Sequence, residues 1–187
     1  LDIAGTCAGL APKDAVFPGE AEPGDAIVGW PSSGIHSNGL TLAREAVTRN
    51  YDYTDPFPPE PEQSIAEALL TPTRIYSEVL APLRDAETAA AAHVTGGGWT
   101  NLTRMGAFTY EITDAFEPQP VFEFVQNEGN VDDEEMYRTF NMGTGFVAAL
   151  PEADAETVVE ASEDARIVGR VHEGDESVSI RGLTLRD

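Results

Sequence analysis

The sequence predicts a mixed α/β fold, in which an α+β arrangement places a mixed sheet between helices. Short apolar runs typical of strands are interspersed with segments whose apolar residues recur at helical spacing. The two kinds of segment do not alternate strictly and no internal repeat is present, which excludes a simple series of βαβ units and a solenoid. A chain of 187 residues with 41% hydrophobic residues can bury a substantial core.

The N-terminal segment is predicted to be separate from this fold. Residues 1–10, LDIAGTCAGL, have the composition of a strand rich in small residues. Four turn-forming residues interrupt the chain after it: Pro12, Pro18, Gly19 and Pro23. The main domain is therefore expected to begin near Gly24. Because the chain starts without methionine in strand-like sequence, we expect it to be a fragment of a longer protein.

A strand, a loop and a helix open the main domain. The run AIVGW, residues 26–30, predicts a buried strand, and the glycine- and serine-rich loop after it leads to a helix that Asn38 is expected to cap. The apolar residues of this helix are Leu42, Ala43, Ala46 and Val47. The proline-rich acidic segment DPFPPEPEQ then predicts no regular structure before residue 64.

Two helix-start signals follow. The segment SIAE, residues 64–67, has the form of a capping box, in which serine and glutamate satisfy each other's free backbone donors. The pair TP, residues 71–72, places proline at a first helical position. Ile75, Val79 and Leu83 lie at helical spacing behind it, so we expect two consecutive helices or one kinked helix.

The second half of the chain is predicted to contain four strands and three helices. The strands are expected at residues 108–112, 144–150, 166–171 and 177–181. The helices are expected at residues 120–126, 132–137 and 151–162, with Gly129 ending the first of them. Acidic residues at the start of the second helix suit the positive end of its dipole.

The charge of the chain is strongly negative. Thirty-three acidic residues against eleven basic ones leave a formal charge of −22, and Lys13 is the only lysine. Nonspecific binding to nucleic acid needs a basic patch, so this composition argues against a nucleic-acid partner. Self-repulsion of this size is tolerated best at high salt. We therefore expect a cytosolic protein from a salt-accumulating organism, in preference to an acid-seeking binding module.

Cysteine content and hydropathy indicate a cytoplasmic location. Cys7 is the only cysteine, so no intrachain disulfide can form and a reducing compartment is expected. The sequence contains no run of about 20 apolar residues, as a membrane span requires. It also lacks the charged-then-apolar pattern of a signal peptide, and no membrane partner is predicted.

The loop SSGIHSNG, residues 32–39, has the composition of an anion-binding site. Glycines between a strand and a helix leave backbone N–H groups free near the positive end of the helix dipole, and short polar side chains supply further donors. The spacing matches neither the phosphate loop of nucleotide triphosphatases nor the dinucleotide-binding fingerprint. An ordinary turn that caps a helix is the alternative interpretation.

The stretch TGGG, residues 95–98, repeats this pattern. Three consecutive glycines are not expected in a stable helix or a central strand, and they let a phosphate or another chain segment approach the backbone closely. A tight strand-to-helix turn explains the glycines equally well. Two such loops in one domain favour a phosphorylated ligand more than either loop alone.

A third polar stretch is EEMYRTFNMG, residues 134–143. On a helix, Glu135 and Arg138 lie three residues apart on one face and are expected to pair with each other. Met136 and Phe140 are expected in the core instead of facing a cofactor.

The histidines predict no metal site. His36, His93 and His172 lack metal-ligand spacing, and a single cysteine argues against zinc. A serine hydrolase is disfavoured as well, because no G-x-S-x-G motif is present. His36 is therefore interpreted as a ligand donor or a titrating group.

Four stretches together resemble one family. GDAIVGWPSSGIHSNGLTL, LLTPTRIY, HVTGGG and EMYRTFNMGTG are similar, in order and approximate spacing, to aminoimidazole ribonucleotide synthetase, also called phosphoribosylformylglycinamidine cyclo-ligase. The resemblance runs from Asp2 to about Val171 and covers only the C-terminal half of the family's usual length. It implies the C-terminal domain of the family's two-domain fold over residues 24–187. Residues 1–23 would be the final strand and linker of an N-terminal ATP-binding domain.

The resemblance implies an enzyme of purine biosynthesis. ATP phosphorylates the formyl oxygen of formylglycinamidine ribonucleotide, an amidine nitrogen attacks, and phosphate leaves, giving aminoimidazole ribonucleotide and ADP. Positioning and charge stabilisation would supply most of the catalysis. The implied cofactors, ATP and Mg²⁺, bind mostly to the N-terminal domain, so this chain alone is expected to be inactive. The full-length protein is expected to form a homodimer, largely through that domain.

The resemblance also implies which residues line the substrate side of the cleft. His36 is the expected catalytic residue, acting as a hydrogen-bond donor or a proton carrier. The expected substrate-binding residues are Ser32, Ser33, Gly34, Ser37, Asn38, Thr95, Gly96, Gly97, Gly98, Asn101, Arg138, Thr139 and Asn141. Thr73 and Arg74 are expected either to support the cleft or to lie on a surface helix. Thr100 stands where bacterial relatives usually carry an acidic residue, so no role of that carboxylate is transferred.

Two other interpretations stay open at this point. The chain could be a stand-alone module that binds a phosphoribosyl ligand, or regulates another protein, without catalytic activity. A purely structural acidic domain is the third possibility, and it predicts no binding of phosphorylated ribosides at any salt concentration.

Overall fold

The computed structural model describes residues 5–6, 8–13 and 19–186. The strand predicted at residues 1–10 falls partly outside this set, as does Cys7. The described residues of that segment form no strand.

A seven-stranded mixed sheet forms the centre of the fold. The helices and strands of the described chain are, in order, β1 (Ala26–Pro31), α1 (Leu40–Val47), β2 (Pro56–Phe57), β3 (Glu60–Ser64), α2 (Ile65–Leu69), a 3-10 helix (Tyr76–Val79), α3 (Leu80–Asp85), β4 (Ala90–His93), a second 3-10 helix (Gly98–Met105), β5 (Thr109–Ile112), α4 (Pro120–Gly129), α5 (Asp133–Thr139), β6 (Thr144–Leu150), α6 (Glu152–Ala161), β7 (Arg166–His172), β8 (Ser177–Ile180) and β9 (Leu183–Leu185). The strand order in the sheet is β4-β6-β1-β7-β5-β8-β9. Neighbouring strands are antiparallel except β5 and β8, which are parallel.

Helices cover both faces of this sheet. Ile27 of β1 belongs to a buried cluster with apolar residues of α1, α4 and α5, whereas Val28 belongs to a second cluster with residues of α3 and α6. Successive residues of a strand point to opposite faces, so the continuous apolar run of β1 is buried on both sides. The predicted mixed α/β fold with flanking helices is confirmed.

The first half of the domain departs from its prediction in two places. The proline-rich segment before residue 64 forms the hairpin β2–β3, because its flanking residues pair across a short turn. Helix α1 begins after Gly39, whose φ of 68° lies in the left-handed region, and Asn38 does not cap it. The predicted N-terminal cap was therefore wrong; the side chain of Asn38 turns away toward Thr95.

The two helix starts after the hairpin have different outcomes. The capping box at Ser64 and Glu67 is confirmed, with both reciprocal hydrogen bonds present. The start predicted at Pro72 is wrong, because regular helical structure resumes only at Tyr76. Ile75 precedes it in extended conformation and is 77% exposed, so it does not belong to the buried helical face.

The second half follows its prediction more closely. The predicted strands form β5, β6, β7 and β8, and the three predicted helices form α4, α5 and α6. Helix α4 continues through Gly129 and ends at Asn130, a left-handed residue with φ of 50°. Gly98 is part of the second 3-10 helix, contrary to expectation for the glycine run, and strand β9 was not predicted. Within the part of the chain described above, no helix is long and apolar enough to cross a bilayer.

Candidate functional site

Three connections meet at one end of the sheet. We name them the serine loop (residues 32–39, after β1), the glycine loop (residues 95–101, after β4) and the Asn141 turn (residues 140–143, before β6). Strands β1 and β4 both pair antiparallel with β6, so their C-terminal ends lie beside the start of β6. The topology of the sheet therefore brings the predicted site segments together.

Ser32 anchors the start of the serine loop. It is 7% exposed, and its backbone N–H donates to the carbonyl of Gly143 at 2.8 Å. Its hydroxyl donates to Oε1 of Gln119 at 3.1 Å, and Nε2 of Gln119 donates to the Ser32 carbonyl at 2.7 Å. The hydroxyl proton of Ser32 is thus committed inside the protein. Sequence reasoning did not identify Gln119 as a site residue. The one sequence feature that marks it is its position directly before the proline that begins α4.

Ser33 connects the loop to the segment before the first 3-10 helix. Its hydroxyl donates to the carbonyl of Pro72 at 2.7 Å and accepts from the backbone N–H of Arg74 at 3.1 Å. Because a serine has one proton to donate, the contact of this hydroxyl with Nε2 of His36 is not a donation by Ser33. A serine nucleophile activated by His36 is therefore not what the geometry shows.

His36 is buried, and one of its two ring nitrogens already has a hydrogen-bond partner. It is 5% exposed with φ of 62°, and its Nε2 lies 3.1 Å from the Ser33 backbone nitrogen, whose N–H donates to it. The proton of the neutral ring is consequently on Nδ1, which has no hydrogen-bond partner in the described chain. Burial, with a smaller contribution from the neighbouring His93, lowers the pKa of His36 from 6.5 to about 4. His36 is therefore neutral at physiological pH and can donate from Nδ1.

An aromatic group surrounds His36. The ring centroids of Tyr76 and His93 lie 6.3 and 6.2 Å from that of His36, and Phe146 stacks on Tyr76 at 5.5 Å. The hydroxyl of Tyr76 donates to the carbonyl of Pro31 at 2.9 Å, and burial raises its pKa. Burial also lowers the pKa of His93. Sequence reasoning had not assigned Tyr76 or Phe146 to the site.

Close packing beneath the aromatic group requires a glycine in β6. A Cβ at Gly145 would overlap the Tyr76 hydroxyl and would lie 3.0 Å from Cε1 of His36. The rings of His36 and Tyr76 therefore lie directly against the strand, which restricts how far either can move.

The serine loop leaves backbone donors unused. Among the described residues, no hydrogen-bond acceptor is found for the backbone N–H groups of residues 34–37, which lie shortly before α1. Free N–H groups at the start of a helix form an electropositive position that suits an anion. A pocket of about 190 Å³ adjoins this loop and is lined in part by Ser33, Gly34 and Gln119.

The glycine loop, in contrast, is filled by its own side chains. Asn101 is 2% exposed, and its Nδ2 lies 3.3, 3.1 and 2.8 Å from the carbonyl oxygens of Thr95, Gly96 and Gly98. The hydroxyl of Thr100 donates to the carbonyl of Gly97 at 2.9 Å. These contacts hold the loop in its own shape, so its side chains are not directed to a ligand.

The Asn141 turn joins the two loops. Asn141 is 2% exposed; its Nδ2 donates to the carbonyl of Gly34 at 2.8 Å and its Oδ1 accepts from the N–H of Gly143 at 3.0 Å. The indole N–H of Trp99 donates to the Asn141 carbonyl at 3.1 Å. Asn141 is thus a buried support of the site and not an exposed ligand donor.

The remaining predicted residues lie at the edge of this group. Nδ2 of Asn38 donates to the hydroxyl of Thr95 at 2.6 Å, which ties the serine loop to the glycine loop. Ser37 is exposed, with its hydroxyl 3.5 Å from that of Thr73. Arg74 pairs with Glu78 at 2.8 Å and makes no contact with the loops through its side chain.

The pairing predicted on α5 was wrong. Arg138 bonds to Glu134 at 3.1 Å, one full turn away, instead of Glu135. Glu135 accepts a hydrogen bond from the hydroxyl of Thr139 at 2.6 Å. The spacing of four residues brings side chains into better alignment on a helix than the spacing of three does here. As predicted, Met136 and Phe140 are buried in the core.

The described part of the chain contains no group of three histidine, cysteine or acidic side chains placed to hold a metal ion. The serine loop itself carries no carboxylate. What the arrangement can do chemically is bind an anion with backbone N–H groups, near a neutral imidazole whose Nδ1 is buried in the protein.

Comparison with known proteins gives close sequence relatives. A family model described as AIR synthase related protein, C-terminal domain, matches residues 22–181. A phosphoribosylformylglycinamidine cyclo-ligase of Methanococcoides burtonii is 45% identical over 189 residues, which cover 100% of this chain and 54% of that protein. One of the same name from Methanopyrus kandleri is 49% identical over 179 residues, covering 93% and 51%. The chain therefore spans about half the length of the curated relatives it matches.

Solved structures with lower identity share the architecture. The crystal structure of tt0281 from Thermus thermophilus is 19% identical, has a TM-score of 0.54, and is matched over 91% of this chain and 53% of that one. Thiamine monophosphate kinase from Aquifex aeolicus is 16% identical with a TM-score of 0.54, over 91% and 54%. At such identities the likeness concerns the fold alone.

Proposed function

The chain belongs to the AIR synthase related protein, C-terminal domain family, and on that premise we propose that it is the C-terminal half of a phosphoribosylformylglycinamidine cyclo-ligase. Its part in that enzyme is to bind the phosphorylated substrate, formylglycinamidine ribonucleotide. The observation that carries the proposal is the serine loop, whose backbone N–H groups at residues 34–37 have no acceptor among the described residues. Relatives of that name align with the whole chain, which favours this function over a stand-alone binding module.

The donors of the serine loop suit a phosphate better than a metal ion. Backbone N–H groups at the start of α1 stabilise negative charge, and the loop contains no carboxylate to hold Mg²⁺. We therefore assign the ribose phosphate of the substrate to this loop. Mg²⁺ and most contacts to ATP belong, in this proposal, to the part of the relatives that this chain does not cover. ATP would supply the phosphoryl group that activates the formyl oxygen.

His36 is assigned the role of hydrogen-bond donor. Its Nε2 accepts from Ser33, so the ring proton is on Nδ1, which is buried without a partner among the described residues; donation to the reacting part of the substrate requires substrate binding to uncover this atom. A neutral imidazole with a pKa of about 4 is a poor proton carrier near pH 7, which favours donation over proton transfer. Ring closure would then depend mainly on orientation and on stabilising developing charge.

The charge of the chain also supports a proposal about the cell in which the enzyme works. A formal charge of −22 on 187 residues fits a cytoplasmic enzyme of a halophilic organism, where molar salt screens the self-repulsion. A homodimer of the full-length protein belongs to the same proposal.

Ligand-dependent unfolding in molar KCl tests the proposal. Formylglycinamidine ribonucleotide at about 100 times its dissociation constant should stabilise the wild type by about 2.7 kcal/mol. His36→Ala should reduce this gain, whereas His172→Ala, which removes an exposed histidine outside the site, should leave it unchanged. Cooperative unfolding with no gain in any of the three proteins would contradict the proposal.

A further inference from the structure

Gln119 has a fixed backbone at the start of α4. Pro120 follows it, and a residue before proline is confined to extended conformations; Gln119 has φ of −63° and ψ of 154°. Its carbonyl accepts from the N–H of Phe122 at 3.0 Å and so begins the helix. Four buried apolar residues hold the helix in the core: Val121, Phe122, Phe124 and Val125. The side chain of Gln119 therefore extends from a rigid element.

Both ends of the Gln119 amide bond to the same residue, 87 positions away in the chain. Oε1 accepts from the Ser32 hydroxyl at 3.1 Å, and Nε2 donates to the Ser32 carbonyl at 2.7 Å. The N–H of Ser32 donates to the carbonyl of Gly143, so every polar group of Ser32 has a partner. Two bonds from one amide fix the orientation of Ser32, where a single bond would leave it free to rotate.

One peptide group lies between Gln119 and His36. The Ser32 carbonyl, which accepts from Gln119, and the Ser33 N–H, which donates to Nε2 of His36 at 3.1 Å, belong to the same peptide unit. A trans peptide is planar, and its C=O and N–H point in opposite directions. The bond on the carbonyl side therefore fixes the direction of the N–H. It also polarises the amide, which strengthens the N–H as a donor.

The Ser33 N–H decides which nitrogen of His36 carries the proton. Among the described residues, the other polar group in contact with Nε2 is the Ser33 hydroxyl, and its proton is donated to the carbonyl of Pro72. Since the backbone N–H is the donor to Nε2, this nitrogen stays unprotonated and the ring proton stays on Nδ1.

We propose that Gln119 is a positioning residue, which holds the tautomer and the orientation of His36 through the peptide unit of Ser32 and Ser33. What His36 then does for the substrate rests on the proposed function. Gln119 also lines the pocket of about 190 Å³ beside the serine loop. A ligand in that pocket lies against the residue that sets the state of His36.

Nitrogen NMR on the full chain observes the bond between Ser33 and His36 directly. In the ¹⁵N-labelled protein, a coupling across this hydrogen bond should join the Ser33 backbone nitrogen to Nε2 of His36. Gln119→Leu removes both side-chain bonds at similar size and should abolish the coupling. Gln119→Glu keeps an acceptor for the Ser32 hydroxyl and loses only the donor to the carbonyl, so it should abolish the coupling as well.

The control is Gln126→Leu, the same change farther along α4, where the amide bonds to Asp133 outside the site. It should leave the coupling as in the wild type. The backbone amide signals of the sheet, taken from the same spectra, show whether each variant is folded. A coupling that persists in either folded Gln119 variant, or that disappears in Gln126→Leu as well, would overturn the proposal.

Unfolding with substrate separates this inference from the proposed function. Formylglycinamidine ribonucleotide should stabilise Gln119→Leu less than the wild type, by about the same reduction as His36→Ala shows. An undiminished gain in Gln119→Leu would overturn the positioning role. If the couplings behave as expected while the substrate does not stabilise the wild type, the proposed function fails and the hold of Gln119 on His36 stands.

Discussion

The serine loop and the glycine loop are both glycine-containing connections from a strand to a helix, and they lie side by side at one end of the sheet. In the serine loop, the backbone N–H groups of residues 34–37 have no acceptor in the described chain, and the polar side chains bond outward to neighbouring segments. In the glycine loop, Asn101 and Thr100 turn back onto the carbonyls of the loop itself. Both loops therefore keep backbone N–H groups without an acceptor among the described residues, including those of Gly96 and Gly97, and they differ in whether their polar side chains bond to other segments or back onto the loop.

This difference assigns the two loops different roles. Changes in the serine loop should alter ligand binding more than folding, because its free donors are not part of the packing. Changes in the glycine loop should alter folding more than binding, since its hydrogen bonds are internal. The Asn141 turn contacts both loops, so its loss should affect both properties at once.

The largest effect is expected for Asn141→Ala. Removing the side chain leaves the buried carbonyl of Gly34 and the N–H of Gly143 without partners, at about 1–3 kcal/mol each. We expect a loss of about 4 kcal/mol in the free energy of unfolding, measured by denaturant titration in molar KCl, and a loss of substrate binding. Asn127→Ala, at an exposed position of α4, is the matched control. A loss below about 1 kcal/mol would show that the turn does not hold the loops together.

Asn101→Ala tests the glycine loop directly. Three carbonyl groups lose their shared donor, and water reaches part of the loop, so a loss of about 2–3 kcal/mol is expected from the same titration. Substrate affinity, measured by calorimetry, should change little in the fraction that remains folded. The opposite result, an intact fold with lost affinity, would make the glycine loop a ligand site and remove the distinction between the loops.

The pH dependence of stability should report on His36. Its folded-state pKa of about 4 lies below the ordinary value of 6.5, so the unfolded chain binds a proton first as the pH falls. Its stability contribution is therefore complete above pH 6.5 and is lost on the way down to about pH 4. By about pH 5 the wild type should lose up to about 2 kcal/mol more than His36→Gln. Parallel profiles for the two proteins would mean that His36 is not held neutral by burial.

The smallest effect on folding is expected for Arg138→Ala. The Arg138 side chain is paired with Glu134 on the surface of α5, and such exposed pairs contribute less than about 0.5 kcal/mol. Arg84→Ala, which removes an exposed arginine of α3, should behave in the same way. If Arg138 also contacts the substrate, calorimetry will show weaker binding for this variant alone. Unchanged binding would restrict the ligand contacts to the serine loop.

The predictions for the fold were most accurate where local chemistry decides the structure. The capping box at residues 64–67 and the strand at residues 144–150 follow from spacing within a few neighbouring residues. The helix predicted to start at Pro72 does not form there, because the hydroxyl of Ser33 donates to the Pro72 carbonyl and accepts from the backbone N–H of Arg74. The hairpin β2–β3 was missed because its two strands pair with each other despite their proline-rich composition.

The sequence predicted which segments form the candidate site, but it did not predict what each residue does there. All three polar stretches named from the sequence meet at the same end of the sheet. Asn101 and Asn141, expected to bind substrate, are buried supports instead. Gln119 and Tyr76 lie in or beside the site without a recognisable motif, because each is held there by contacts with residues distant in the chain.

The sequence by itself determined strands β1 and β5 to β8, most of the α-helices, the acidic surface and the positions of the two loops, because these depend on periodicity, capping and charge along the chain. Only the tertiary structure decided which hydrogen bonds the side chains of each loop make and which tautomer His36 adopts. The physical reason is that a hydrogen-bond donor is free or used according to its neighbours in space. Asn141 and Gly34, 107 positions apart in the chain, meet only after the sheet has formed.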